Sequence, residues 1–372
     1  MSIRLGKIAG IPISIDASWF IILALIIYVL AVSYFPVVDP DLSVAMRWFG
    51  GAIAALLLFG SVLLHELAHS IVAMRNGIDI GGINLFIFGG VSRMRSEPRS
   101  PEIEFKMAVA GPATSIVLAG VLWGLLALGG QPWFGRLGAL VIGYLALINL
   151  VLGIFNLLPG FPLDGGRVFR AILWGATGSL EKATRWASFT GQGFAYLFIF
   201  GGFWMMLFGG FLNGLWLVFI GWFLNNAAQQ SYQQVQLRNA LSGVDVHRVM
   251  TTDFPHLDPN LTIDEFVHEY LLKYDYSTFP VTEGDRFLGV VTMNEVRDIP
   301  RERWADTVLQ DVVKCPEDER VIKCTDDAFD ALMHMAEENA RRMLVMCEGR
   351  LEGVVTQESI VNLVRTKMQL GM

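Results

Sequence analysis

Three chemically capable side chains fall within five positions of one oily stretch. They are His65, Glu66 and His69, in Ser61-Val62-Leu63-Leu64-His65-Glu66-Leu67-Ala68-His69-Ser70. The spacing is H-E-x-x-H. On a helix, His65 and His69 stand one turn apart on one face. Two neutral imidazoles so placed can share a zinc ion. Glu66, between them in sequence, is placed to take a proton from a water activated there. Met46 to Met74 is apolar enough to cross a bilayer. Ionisable groups in such a setting are expensive and functional by default. A His pair satisfied by neighbouring carbonyls is the plain alternative.

A two-histidine site needs a further ligand. Leu137 to Leu158 reads as another span and runs into Asn156-Leu157-Leu158-Pro159-Gly160-Phe161-Pro162-Leu163-Asp164-Gly165-Gly166-Arg167. Two prolines and several glycines break the helix, which is tolerated at membrane depth where the break lines a cavity. Asp164 is thereby offered as a third, oxygen ligand. A capping Asp at a helix-ending turn is the alternative. Three protein ligands leave one position open, as a catalytic zinc requires.

The elements that must position these groups are set by composition. The chain has 372 residues, is 53% hydrophobic and has a mean hydropathy of +0.48. That is a polytopic α-helical membrane protein. Six spans are expected: Trp19 to Phe35, Met46 to Met74, Phe105 to Leu128, Leu137 to Leu158, Phe189 to Phe208 and Phe211 to Leu224. Met1 to Ser14 reads as a short, mildly basic lead-in to a retained first span. Gly81 to Met94 is too short to span and is flanked by glycines. It reads as two short strands, either a small re-entrant β-hairpin or an ordinary surface hairpin. With the N-terminus inside, inner segments hold 11 Lys/Arg and outer segments only Arg47 and Arg136. Both termini are therefore expected in the cytoplasm, with both ligand segments towards that side.

Charge divides the chain. Met1 to Tyr232 carries 13 Lys/Arg and 10 Asp/Glu, whereas Gln233 to Met372 carries 15 and 25. The acidic second half argues against nucleic-acid partners. Cys315, Cys324 and Cys347 all lie there without C-x-x-C spacing, and free thiols are expected. This half repeats itself: Val281 to Thr292 aligns without a gap on Val345 to Thr356, at an offset of 64 residues. Each copy reads as helix, strand, turn, strand, helix. The layout resembles a tandem pair of cystathionine-β-synthase (CBS) domains, an α/β fold that often binds an adenine nucleotide between its repeats. The resemblance places the phosphate-contacting positions at Thr292 and Thr356. The ribose-contacting Asp is replaced by Glu295 in one copy and Ser359 in the other, so a nucleotide-binding and a ligand-free, dimerising module both stay open. The expected layout is a membrane domain over 1–228, a linker over 229–243, and CBS domains over 244–303 and 304–372.

The first half, over roughly residues 1 to 225, resembles the site-two protease family of intramembrane zinc metalloproteases. The likeness rests on H-E-L-A-H at His65 to His69, A-G-P at Ala110 to Pro112, and N-x-x-P-x-x-P-L-D-G at Asn156 to Gly165. It implies one Zn²⁺ per chain held by His65, His69 and Asp164, with Glu66 as general base. Asn156 would orient substrate or stabilise the oxyanion. The implied substrate is a single-span membrane protein, cut in or near its span, in the membrane of a prokaryotic cell. The CBS pair would regulate this or pair the chain into a homodimer. The alternative from another class is a CBS-regulated transporter or channel.

Overall fold

The computed structural model describes residues 2–87, 89–94, 98–274, 278–284, 286–314, 321–338 and 340–370. Phe88 at the expected hairpin tip, Arg95 and Cys315 lie outside these. The chain forms two compact units, Met1–Gln233 and Gln234–Met372.

The first unit opens with strands, not with a bare lead-in. β1 (Ser2–Ile8) and β2 (Ile11–Asp16) form an antiparallel hairpin. Ile11, Ile13 and Ile15 point one way and are buried, as alternation in a strand requires. Asp16 ends β2 and caps α1 (Ala17–Val29) by accepting from the Ser18 amide. A π-turn joins α1 to α2 (Phe35–Val38). Ser43 then caps α3 (Val44–Arg75). β3 (Ile80–Phe86) follows and lies parallel to β2, since α1 and α3 carry the chain away and back. β4 (Gly89–Met94) completes a sheet of order β1-β2-β3-β4. The expected hairpin is therefore one half of a four-stranded sheet. The sheet's isoleucines pack on Trp19, Phe59 and Leu67 of α1 and α3.

α4 (Pro101–Leu128), α5 (Gly130–Asn156), α6 (Asp164–Thr177), α7 (Leu180–Leu207) and α8 (Phe211–Leu241) complete the unit, with α8 running on into the second. α5 is broken at Gly135, and Arg136 beside the break forms a bidentate pair with Asp39. Among the described residues, five helical stretches are long and apolar enough to cross a membrane: Ala17–Val38, Val44–Arg75, Pro101–Leu128, Pro132–Asn156 and Phe211–Leu241. The fifth expected span falls in α7, which is not among these five; glycines and Gln192 dilute its hydropathy.

In the second unit the stretch expected as linker is helical, and Leu237, Ala240 and Leu241 of α8 join a core there. α9 (Ile263–Phe266), the hairpin of β5 (Thr278–Glu283) and β6 (Arg286–Thr292), and α10 (Met293–Arg297) make the first copy. β7 (Val321–Lys323), α11 (Ala328–Glu337), the hairpin of β8 (Arg342–Cys347) and β9 (Arg350–Thr356), and α12 (Gln357–Leu370) make the second. The hairpins share a register, Thr278 facing Thr292 and Arg342 facing Thr356. The two cores do not follow chain order. Val244, Val246 and Val249 pack into the second core, where the Val246 amide donates to Asp326 O at 2.9 Å. Leu309 packs into the first core, and Lys314 exchanges backbone bonds with Val290. Cys324 and Cys347 are joined as a disulfide, contrary to the expectation of free thiols. β7 and β8 run parallel with Lys323 opposite Met346, which sets the next residues side by side, Cα atoms 5.4 Å apart.

Candidate metal centre

Ser61, His65 and His69 follow at four-residue steps on α3, so they share a face. α4 crosses that face. A side chain on α4 at the crossing would collide with the rings: a Cβ on Gly111 would lie 2.6 Å from His65 Nε2 and closer still to His69 Nε2. The glycine of A-G-P is thus what keeps the space before the two imidazoles open. α6 begins at the edge of that space, and its first residue is Asp164.

The three side chains converge. Asp164 Oδ2 is 3.1 Å from His65 Nε2 and 3.1 Å from His69 Nε2, and the two nitrogens are 3.2 Å apart. The outer ring nitrogen of His69 fixes its tautomer. His69 Nδ1 can only donate to the Met107 carbonyl, at 2.6 Å. His65 Nδ1 meets Ser115 Oγ at 2.9 Å. A neutral His69 therefore has no proton on Nε2. Its lone pair faces a second imidazole nitrogen and a carboxylate oxygen. With His65 in the same tautomer, three electron-pair donors share one focus, an arrangement that suits a cation between them. The spacing suits zinc, since tetrahedral bonds of ~2.0–2.1 Å set ligand atoms about 3.3 Å apart. Among the described residues this is the one cluster of three or more His, Cys, Asp or Glu side chains with that geometry.

Glu66 follows His65 on α3 and approaches β4. It is half-buried, and a Cβ on Gly90 of β4 would lie 2.6 Å from its Cγ. It remains within electrostatic reach of both rings, of Asp164 and of Arg167. β4 is the outer strand of its sheet, so the candidate base lies against a face of the outer strand. Asn156 is the last residue of α5 and half-buried. Its side chain makes no hydrogen bond to the cluster among the described residues.

Sequence reasoning passed over the groups that orient the ligands. Ser115 and the Met107 carbonyl carry no motif of their own. Glu104 and Arg170 did carry a signal, as opposite charges in otherwise apolar surroundings. Arg170, one of the 11 Lys/Arg of the inner segments, is buried against Glu104.

In the second unit, Thr292 and Thr356 end β6 and β9 and begin the following helices. Thr292 accepts from the Asn294 amide at 3.2 Å and donates to Glu295. Glu295 also takes Lys314 Nζ at 3.0 Å. Burial alone would raise its pKa, but the Thr292 and Lys314 hydrogen bonds outweigh that and hold it down to about 2. Thr356 accepts from the Ser359 amide at 3.0 Å. Both threonines are engaged in helix capping.

Comparison with known proteins bears on all of this. Residues 53–141 and 138–200 match Peptidase family M50, and residues 246–302 and 306–366 match the CBS domain. The sll0528 protein of Synechocystis sp. is 33% identical over 382 residues, covering 98% of this chain and 96% of its own. The chain belongs to peptidase family M50. Zinc metalloprotease MJ0392 of Methanocaldococcus jannaschii, 30% identical over 365 residues, covers 97% of this M50 peptidase and 95% of itself. The solved Site-2 Protease from Methanocaldococcus jannaschii is 33% identical; the match spans 62% of this chain and 95% of that one, with a TM-score of 0.42. The M50 assignment leaves the transporter or channel alternative without support.

Proposed function

We propose that this M50 peptidase is an intramembrane zinc metalloprotease. It would hydrolyse a peptide bond in or near the span of a single-span membrane protein. The observation that carries the reading is the convergence of His65 Nε2, His69 Nε2 and Asp164 Oδ2 on one point. Those three residues would hold the zinc. When bound, the metal supplies Lewis acidity, which makes water acidic near neutral pH and polarises a carbonyl. The rest falls to side chains. Glu66 takes the proton of the attacking water and returns it to the leaving amine. Asn156, at the helix break just before Asp164, is placed by its position in the chain to orient the scissile carbonyl.

A helical substrate shields its peptide bonds, so it must unwind before attack. Unwound backbone in lipid lacks hydrogen-bond partners. The outer strand β4 would supply them by strand addition, and Gly90 on that strand lies close to Glu66. With six spans, counting α7, both chain ends lie in the cytoplasm of a prokaryotic cell. The CBS pair would then act there as a regulatory module. An adenine nucleotide would contact it near Thr292 and Thr356, or the pair would join two chains as a homodimer.

The test is metal content and cleavage together. Purified protein should carry about one zinc per chain. Glu66→Gln should keep the metal and lose cleavage of a single-span test substrate, whereas His65→Ala should lose both. Metal-free protein that still cleaves overturns the proposal.

A further inference from the structure

α6 carries Asp164 on its first turn and packs between α4 and α7, with its Phe169 against the small apolar cluster of Phe161 and Ala187. Its buried residues are Gly165, Gly166, Arg170 and Ala171. Arg170 is the one among them with a side chain longer than a methyl. Its guanidinium donates through Nε and Nη2 to Glu104 Oε1, with the Nε contact at 2.7 Å. The same group lies 5.1 Å from the centre of the Phe161 ring, in the turn that leads to Asp164. Arg170 and Glu104 are 8% and 1% exposed. This is a buried ion pair between α6 and α4, away from the ligand atoms.

The α4 end of the pair belongs to a pattern. Glu104, Met107, Gly111 and Ser115 follow at three- and four-residue steps, on one buried stripe. Three of them serve the histidines. The Met107 carbonyl takes His69 Nδ1, Gly111 leaves room before both rings, and Ser115 meets His65 Nδ1. Glu104 is the member of the stripe that reaches α6. One helix face therefore touches every element that carries a ligand.

We infer that Glu104 and Arg170 are positioning residues of the metal site: the pair sets the rotation and depth of α6 so that Asp164 Oδ2 meets the two imidazole nitrogens. This rests on reading His65, His69 and Asp164 as zinc ligands. An aliphatic contact between α4 and α6 would let the helices slide at little cost. Two N–H groups of one guanidinium on a single carboxylate oxygen, Glu104 Oε1, fix the distance and the direction from which Arg170 approaches. In apolar surroundings either charge left alone is strongly disfavoured, so other settings of α6 are excluded.

The experiment uses the full chain in lipid nanodiscs, as wild type, Arg170→Gln, Arg170→Lys and Glu104→Gln. Zinc affinity is read by chelator competition, coordination by the absorption bands of the cobalt-substituted protein, and folding by thermal melting. Wild type that binds no metal sinks the ligand reading itself, and this inference with it. Given wild-type binding, folded Arg170→Gln should bind zinc roughly 10–100-fold more weakly, the usual effect of removing an outer-shell partner. Its cobalt bands should shift as the carboxylate ligand is lost. Arg170→Lys should recover part of both. Folded Arg170→Gln with wild-type affinity and unchanged bands overturns the inference. If Arg170→Gln does not fold, the comparison passes to Glu104→Gln and Arg170→Lys, and wild-type affinity in both overturns it.

Discussion

Gly111→Ala adds one methyl group to the chain, and the structure says where that methyl goes. It would lie 2.6 Å from His65 Nε2 and nearer still to His69 Nε2. Carbon and nitrogen in contact rest about 3.5 Å apart, so each ring must retreat by roughly 1 Å or α4 must move off. Either way the focus shared with Asp164 Oδ2 is filled by carbon. Losing an outer-shell partner costs 10–100-fold in metal affinity, and blocking the site itself should cost more. A loss of at least ~100-fold, or about 2.7 kcal/mol, is expected. Helix propensity acts the other way, since Ala is favoured over Gly by about 1 kcal/mol, so the variant should fold. Elemental analysis and chelator competition measure the metal, thermal melting the fold, and cleavage of a single-span substrate the activity. Gly120→Ala is the control: it lies on the same helix with nothing within 4 Å of the added Cβ, and should behave as wild type. A folded Gly111→Ala protein with full zinc and full cleavage would refute the placement of the site.

Other outcomes follow from single contacts. Ser115→Ala removes the partner of His65 Nδ1 and should weaken zinc binding about tenfold while leaving the protein folded, as read by the same competition. Glu66→Gln should lower cleavage by roughly 10²–10⁴-fold, the range typical of a lost general base, at unchanged zinc content. Glu295 has a folded pKa of about 2, below the ordinary ~4.3 of an unfolded chain. Its stabilising effect is therefore complete above pH ~4.3 and fades as pH falls towards 2. Hydrogen exchange at β5 and β6 amides in the full chain, corrected for intrinsic pH effects, should show that fading in wild type and a flatter profile in Glu295→Gln. Purified protein titrated with ATP or AMP should bind with an affinity that Thr292→Val weakens; no effect of Thr292→Val on a measurable affinity would place the nucleotide elsewhere.

Much of the candidate metal site was readable because its demands are local. His65 and His69 declare themselves by spacing along one helix, and Asp164 by the prolines that break the span before it. Gly111 was visible only as a small residue fit for close helix contact, since nothing in A-G-P says which atoms approach it. The partners of the outer ring nitrogens were not legible. One is a backbone carbonyl, which every residue possesses, and the other is an ordinary serine. The opening hairpin was missed although Ile11, Ile13 and Ile15 alternate as strand residues do. Their hairpin partner β1 is exposed along Ile3 to Ile8 and shows no such alternation, and the other neighbour of β2, β3, lies 70 residues on, a pairing that no local pattern reports. The partner of Arg170 was not legible either, because only the crossing of α4 and α6 brings Glu104 to it.

The repeat at an offset of 64 invites a cut between its copies. Their interiors advise against it. Valines ahead of the first copy complete the hydrophobic interior of the second, and Leu309, past the first copy's helix, returns to fill its own. A chain ended near residue 303 would leave one interior short of Leu309 and the other's valines with nothing to cover. Gene fragments meant to isolate a single sensor lobe should therefore be expected to aggregate, and the lobes should be inherited, exchanged and engineered as an inseparable pair.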